Sequence, residues 1–222
     1  MTPYSYKLQY PALETYKRLD DADKERVRAV DLALPQTQCR QCGTDGCLAY
    51  ACQMVLEEAP HNRCAPGGQA GADRLAVLLG RESLPLDPEY GQEAPFARAV
   101  VDPERCIGCA WCVKACPTDA IVGSPKHLHQ VLEEKCTGCG LCLPACPMDC
   151  IEWVVEEENP WTTERAMHAR DAFYTTLERR RARERAENER LERLRHPGAD
   201  PEEAASRKSA FMAAILKKAR QG

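Results

Sequence analysis

The sequence predicts an α+β chain in three parts: a small helical four-cysteine domain, a (βαβ)2 domain built on two cysteine loops, and a long charged helical extension. Three observations carry this reading. Twelve of the fourteen cysteines fall into three sets of four. Residues 101–121, VDPERCIGCAWCVKACPTDAI, align with 131–151, VLEEKCTGCGLCLPACPMDCI, at a constant offset of thirty. From about Thr162 the composition turns to interleaved Arg and Glu. The expected boundaries are a helical segment over 1–34, the four-cysteine domain over 35–80, a linker over 81–96, the repeat domain over 97–157 and the charged tail over 158–222.

In the opening segment Tyr4, Tyr6, Leu8 and Tyr10 alternate like a short strand. Asp20 then caps a helix with Val27, Val30 and Leu34 on one face, and Pro35 stops it. Cys39, Cys42 and Cys47 follow, with Gly43 and Gly46 tightening a CxxCGxxGC loop. Behind the loop, Leu48, Cys52, Val55, Leu56 and Ala59 recur at helical spacing and form one apolar face. Cys64 returns after sixteen intervening residues, a length at which a helical hairpin brings the fourth thiolate back to the loop. Pro66, Gly67 and Gly68 start the next helix, about Ala70 to Leu79, which ends on a left-handed Gly80. On spacing alone this set suits either an iron-sulfur cluster or a tetrahedral zinc ion. The stretch GRESLPLDPEYGQEAPF, residues 80–96, is rich in Pro, Gly and acid and reads as a linker that lets its flanking modules change separation.

The repeat carries the strongest chemistry. Cys106, Cys109, Cys112, Cys116 and Cys136, Cys139, Cys142, Cys146 each read CxxCxxCxxxCP, the two-cluster bacterial ferredoxin pattern. Three thiolates wrap one cubane, while the fourth, just past the start of a short helix, closes the other. Ligation therefore crosses: Cys106, Cys109, Cys112 and Cys146 hold the first cluster, and Cys136, Cys139, Cys142 and Cys116 the second. Gly108, Gly138 and Gly140 let backbone amides approach the sulfurs, and Pro117 and Pro147 fix the chain after each fourth ligand. The domain is expected to be ferredoxin-like, with Val101 and Val131 on strands entering the loops and Ile121 and Ile151 closing the core. Trp111, where the other repeat has Leu141, is expected to shield a cluster from water.

Disulfides fit poorly, because MTPYSYKLQY lacks the basic and apolar stretches of a secretory signal. Zinc fits the repeat poorly, since structural sites pair two CxxC halves across a longer gap. Cys52 and Cys150 read as packing thiols, Cys150 standing where the other repeat has Ala120. With aromatics at 6% of 222 residues, the core is thin, and bound clusters are expected to supply part of the folding energy.

The tail is basic and the rest acidic: residues 164–222 carry +5 and the remainder −9, giving the net −4. Residues 178–195 hold eight Arg and five Glu, with Arg180 and Glu184, Arg183 and Glu187, Arg185 and Glu189, and Glu189 and Arg193 four apart, the pattern of an exposed helix. The last segment puts Phe211, Met212, Ile215 and Leu216 on one side with Lys217, Lys218 and Arg220 nearby, a candidate for docking a protein partner or the membrane surface. Interleaved glutamates argue against nucleic acid. No GxGxxG, P-loop or nucleophile motif is present, and His61, His127, His129, His168 and His196 are scattered, with polar surface as their default. Lys114 and Asp119 are expected to set the local field.

The CxxCGxxGCxxYA loop, the CAPGG return and two CxxCxxCxxxCP sets, in this order over about residues 35–157, resemble the B-type subunit of the Rnf/Rsx electron-transport complex, a membrane-bound ferredoxin-linked oxidoreductase of bacteria. The resemblance implies a 4Fe-4S cluster on Cys39, Cys42, Cys47 and Cys64, hence three 4Fe-4S clusters in all. It implies an electron-transfer subunit of an oxidoreductase with no active site of its own. Its partners would be Rnf-type membrane subunits, ferredoxin or flavodoxin. An alternative is an iron-sulfur subunit feeding a flavin or corrinoid enzyme; a zinc-ordered interaction protein is a third reading. Two features depart from the family: no apolar stretch approaches the ~18 residues of a membrane span, and the charged extension has no counterpart. The expectation is a cytoplasmic, soluble chain, peripheral at the inner membrane if the final helix docks there.

Overall fold

A computed structural model of the protein describes residues 10–156, 161–195, 206 and 209–210. The alternation at Tyr4, Tyr6 and Leu8 and the apolar side of Phe211, Met212, Ile215 and Leu216 lie outside the described residues. The chain divides into two units, Met1–Leu177 and Glu178–Gly222.

The first unit begins with four helices, α1 (Pro11–Arg18), α2 (Asp21–Ala33), α3 (Cys47–Leu56) and α4 (Gly68–Leu79). Pro11 opens α1 at a position where no intrahelical amide is needed. The Asp20 carboxylate accepts from the Asp23 amide at 2.8 Å and caps α2, and Leu34 turns extended before Pro35. Gly80 closes α4 at φ 65°, ψ 34°. The face expected on α3 is wider and shorter than the spacing suggested. Leu48, Tyr50, Ala51, Cys52, Met54 and Val55 are all buried, whereas Leu56 ends the helix half-exposed and Ala59 lies past it. Arg81 accounts for that ending, donating to the carbonyls of Met54 and Ala59, both at 2.7 Å.

The core of these helices includes residues that the sequence reading assigned to the tail. Helix α6 (Thr163–Arg195) brings Phe173 and Leu177 against Tyr10, Val27, Val30 and Tyr50, and the Phe173 ring meets Tyr10 edge-on at 5.3 Å. Its buried positions Ala166, Ala169, Phe173, Thr176 and Leu177 follow helical spacing, a stripe masked by the charged residues around it.

The second core lies in the repeat. Strand β1 (Ala97–Val101) pairs antiparallel with β4 (Ile151–Val155), and β2 (Ile121–Val122) pairs with β3 (Gln130–Val131). Val101 faces Ile151 and Ile121 faces Val131, so every strand pairs with a strand of the other repeat. The backbone repeats the exchange: the Asp102 amide donates to Cys150 at 2.8 Å and the Leu132 amide to Ala120 at 2.7 Å. One symmetry is broken. The first loop carries α5 (Trp111–Ala115), in which the Lys114 amide reaches the Ala110 carbonyl at 3.3 Å; the second has Pro144 at that place, lacks the donor and forms turns. The fourth cysteine of the first loop accordingly sits at the end of its helix rather than at the start.

The segment between the two cores is held along the helical domain rather than left loose. Asn62 donates to the Pro85 carbonyl at 2.7 Å, Gln69 brackets Leu84 and Leu86, and Glu93 accepts from the Gln69 amide at 3.1 Å. Side-chain amides and a carboxylate satisfy the backbone that prolines leave without ladder partners.

In the second unit, residues 178–195 are exposed apart from a few half-covered positions, with ion pairs three apart, Glu187 with Arg190 at 2.8 Å and Glu192 with Arg195 at 3.9 Å. Among the described residues no helix is long and apolar enough to cross a membrane.

Candidate metal centre

The upstream cysteines sit on a loop held in an unusual backbone. Gln36, Gln38 and Arg40 have φ of 57°, 56° and 66°, a conformation that costs a non-glycine residue about 1–3 kcal/mol and persists only when its surroundings enforce it. A buried polar chain does so. Arg170 binds Asp31 at 3.0 Å, Asp31 accepts from Gln36 at 3.1 Å, Gln38 donates to Gln36 at 3.0 Å, and the Cys47 amide donates to Gln38 at 3.0 Å. The N-terminus of α3 is completed by Tyr10, whose hydroxyl accepts from the Ala49 amide at 3.2 Å. Gly46 is obligatory: its φ is 147°, and a Cβ there would stand 2.6 Å from the Gln38 side-chain oxygen. Tyr50 places the return strand, donating to Pro60 at 2.7 Å and accepting from the Arg63 amide at 3.0 Å, which sets Cys64 opposite the loop.

These thiols are brought together. Cys47 faces Cys64 and Cys39, and Cys64 faces Cys39 and Cys42, closely enough for each to disfavour ionisation of the next. Burial pushes Cys39, Cys47 and Cys64 above the ordinary thiol value, with the neighbouring thiols adding to it. Cys39, Cys47 and Cys64, which resist ionisation together, need a cation among them to become thiolates.

In the repeat the neighbours cross between loops. Cys112 faces Cys109, Cys146 and Cys106, while Cys142 faces Cys139, Cys116 and Cys136. Cys116, Cys136, Cys139 and Cys142 line one cavity with Gly138, Gly140 and Trp153. Burial raises Cys112 to about 11 and Cys139 to about 12. Cys146 is the exception: burial would raise it, but bonds from the Cys150 amide and thiol and the Met148 amide bring it below the ordinary value. Among the described residues no three His, Cys, Asp or Glu side chains close on a point that would hold a single ion. At the second site of the repeat the thiols of Cys116, Cys136, Cys139 and Cys142 line a shared cavity instead, a donor set that fits a polynuclear iron-sulfur group.

Three expectations change in detail. The loop glycines serve close packing, since a Cβ on Gly138, at φ 63°, would lie 2.6 Å from the Ala97 carbonyl; the amides bonded to sulfur belong instead to Gln41, Gly67, Val113, Ala120, Leu141, Met148 and Cys150. Trp111 is exposed, and the tryptophan that lines the cavity of the second site is Trp153, beside Gly140 and itself 42% exposed. His61 and His129 are buried rather than surface residues, and Nδ1 of His129 lies 3.9 Å from Cys106 Sγ. Sequence reasoning also missed Asp31, Gln36, Gln38 and Arg170; only the polar run QTQ before Cys39 hinted at side chains that bond locally. Cys52 packs in the first core as expected, while Cys150 stands 3.3 Å from Cys146 and is more than packing.

The two cysteine regions are joined. Thr137, beside Cys136, donates to the Thr37 carbonyl at 2.9 Å, and Trp161 donates to Pro35 at 2.8 Å while stacking on Phe96.

A family model described as "4Fe-4S dicluster domain" matches residues 99–153, and one described as "Putative Fe-S cluster" matches residues 34–66. Among curated proteins, the B-type subunit of the ion-translocating oxidoreductase complex from an Azoarcus strain is 51% identical over 107 residues, 48% of this chain and 58% of the relative. The same subunit of Alkalilimnicola ehrlichii is 56% identical over 106 residues, covering 47% and 56%. That of Salmonella arizonae is 48% identical over 145 residues, covering 65% and 76%. No solved structure matches the chain. The chain thus spans a little over half the length of the first relatives it matches and three quarters of the Salmonella one. With that identity across that share of a relative, and two iron-sulfur family models falling on its two cysteine regions, the chain belongs to the B-type subunit family of the ion-translocating oxidoreductase complex.

Proposed function

We propose that the chain is an electron-transfer subunit that relays single electrons through three 4Fe-4S clusters within an ion-translocating oxidoreductase complex, the assembly named for its relatives. Cys39, Cys42, Cys47 and Cys64 hold the upstream cluster; Cys106, Cys109, Cys112 and Cys146 the first cluster of the repeat; Cys136, Cys139, Cys142 and Cys116 the second. The observation that carries the reading is the cavity in which a thiol of one repeat joins three of the other. A bound 4Fe-4S group supplies a one-electron acceptor and donor whose potential the surrounding protein sets.

The residues do the rest. Gln38 and Tyr10 tie the start of α3 so that Cys47 keeps its aim, and Tyr50 holds the return to Cys64. The bond from Thr137 to Thr37 keeps the second site of the repeat against the upstream loop and favours passage between them. The partners are the membrane subunits of such a complex or a ferredoxin or flavodoxin, and the charged C-terminal unit is the docking element. Anaerobic purification followed by iron and sulfide analysis tests the reading. About twelve of each per chain are expected from three four-iron groups. About eight would show that the upstream set holds something else, and a colourless protein carrying only zinc would overturn the whole.

A further inference from the structure

The two sites of the repeat are related by the offset of thirty residues, and comparing them residue by residue exposes a difference in what faces the sulfurs. The second site is lined by Ala99 and Ala120. The offset carries these positions to His129 and Cys150 at the first site. Both are buried, 1% and 4% exposed, and both reach a ligand sulfur: His129 Nδ1 stands 3.9 Å from Cys106 Sγ and Cys150 Sγ stands 3.3 Å from Cys146 Sγ. Two methyl groups at one site correspond to an imidazole and a thiol at the other.

The direction of these bonds follows from where protons can go. Nε2 of His129 has no partner among the described residues, and a buried unpaired N–H is rarer and costlier than an unpaired lone pair. The proton therefore sits on Nδ1, facing Cys106. A ligating sulfur is a thiolate with no hydrogen, so the Cys150 thiol is the donor to Cys146. Hydroxyls do approach the second site, Thr118 at 3.7 Å from Cys116 Sγ and Thr137 beside Cys139. Each has a carbonyl that competes for its one proton, the Lys135 carbonyl for Thr118 and the Thr37 carbonyl for Thr137, both at 2.9 Å. The backbone donor four residues on is common to both sites, from Ala120 to Cys116 and from Cys150 to Cys146. Water points the same way. Thr137 is 3% exposed, whereas its counterpart Ile107 at the first site is 57% exposed.

We propose that His129 and Cys150 make the site of Cys106, Cys109, Cys112 and Cys146 the higher-potential one of the pair, so that a single electron shared between the two sites resides there. The inference rests on cluster occupancy as proposed above. Added negative charge is stabilised by donors to sulfur and by nearby solvent, and Ala99 and Ala120 give the second site no counterpart of the His129 and Cys150 side-chain donors. His129 and Cys150 are positioning residues that act through Cys106 and Cys146. Electrons entering from the upstream set through the second site then settle at the first, beside the exposed Ile107 and Trp111.

The test uses the full chain, purified anaerobically and partly reduced with dithionite, with the electron's residence read from paramagnetically shifted cysteine β-proton resonances. In the wild type the electron favours the first site. Cys150→Ala and His129→Ala each shift the distribution about tenfold toward the second, equivalent to about 59 mV. Ala120→Cys, which adds a thiol beside Cys116, shifts it in the same direction, and Cys150→Ser, which keeps a donor, stays near the wild type. Should His129→Ala fail to fold, the position-120 and position-150 variants decide. With about twelve irons retained, a wild-type electron resident at the second site, or alanine variants within twofold of the wild type, overturns the proposal. Loss of iron from the wild type would instead overturn the cluster reading beneath it.

Discussion

Replacing Arg170 with Met removes the outer member of the buried chain that shapes the upstream loop. Asp31 is 1% exposed and its bond to Arg170 is 3.0 Å long, while the arginine side chain keeps 27% of its surface. Breaking a buried pair by deleting one partner costs about 3–5 kcal/mol. Water at the guanidinium screens part of the attraction, which brings the expected loss below that range, to about 2–3 kcal/mol. Burial already holds the Asp31 carboxyl above its usual range, with Gln36 and Arg170 pulling it back, so loss of Arg170 raises it further. The sign follows: an acid whose folded pKa is raised gives a contribution present below its unfolded value near 3.8 and lost as pH climbs through the folded value. Arg170→Met should therefore be hurt more at neutral pH than near pH 4–5. Anaerobic urea unfolding, followed by helical circular dichroism and by visible absorbance, measures both numbers. Adding Asp31→Asn to Arg170→Met should recover at least half of the loss, because the neutral amide no longer needs the cation. A loss under about 0.5 kcal/mol, or a double variant equal to the sum of the singles, would refute the claim that this pair supports the loop.

Further outcomes follow from the same geometry. Gly138→Ala places a Cβ 2.6 Å from the Ala97 carbonyl at φ 63°, and iron analysis should find the second site of the repeat empty while the upstream cluster stays. Cys116→Ser should remove the group held by the second loop and Cys146→Ser that held by the first; the reverse assignment in paramagnetic NMR would disprove crossed ligation. Phe173→Ala should cost about 3 kcal/mol in urea unfolding, since the ring fills the first core beside Tyr10. Burial raises the non-ligand thiol Cys52 to about 11 from 9.0, so iodoacetamide near pH 8 should label it at least about a hundredfold more slowly than an unfolded thiol. Its contribution to stability is complete below about pH 9 and fades as pH rises toward about 11.

The helices were legible because their punctuation is local: Asp20 before α2, Pro35 after it and Gly80 after α4 each act through their own neighbours. The strands entering the loops of the repeat were legible because an internal duplication marks the same position twice, whereas their pairing across the halves came only from the fold. What the sequence hid depends on long-range company. Nothing near Arg170 announces that it will meet Asp31, 139 residues away, and a helix bearing so many charges concealed the five buried positions of its first turns. His129 looked like a surface residue because its burial depends on the Gly123 backbone and on the ligand loop of the opposite half. Around the site, spacing revealed the thiols, whereas the polar groups that aim them came from elements distant in the chain.

The exchange of strands between the halves of the repeat has a consequence for biogenesis. Since β1 finds its partner only in β4, a chain leaving the ribosome cannot finish either half until about residue 155 has emerged, and the duplicated halves mature as one event.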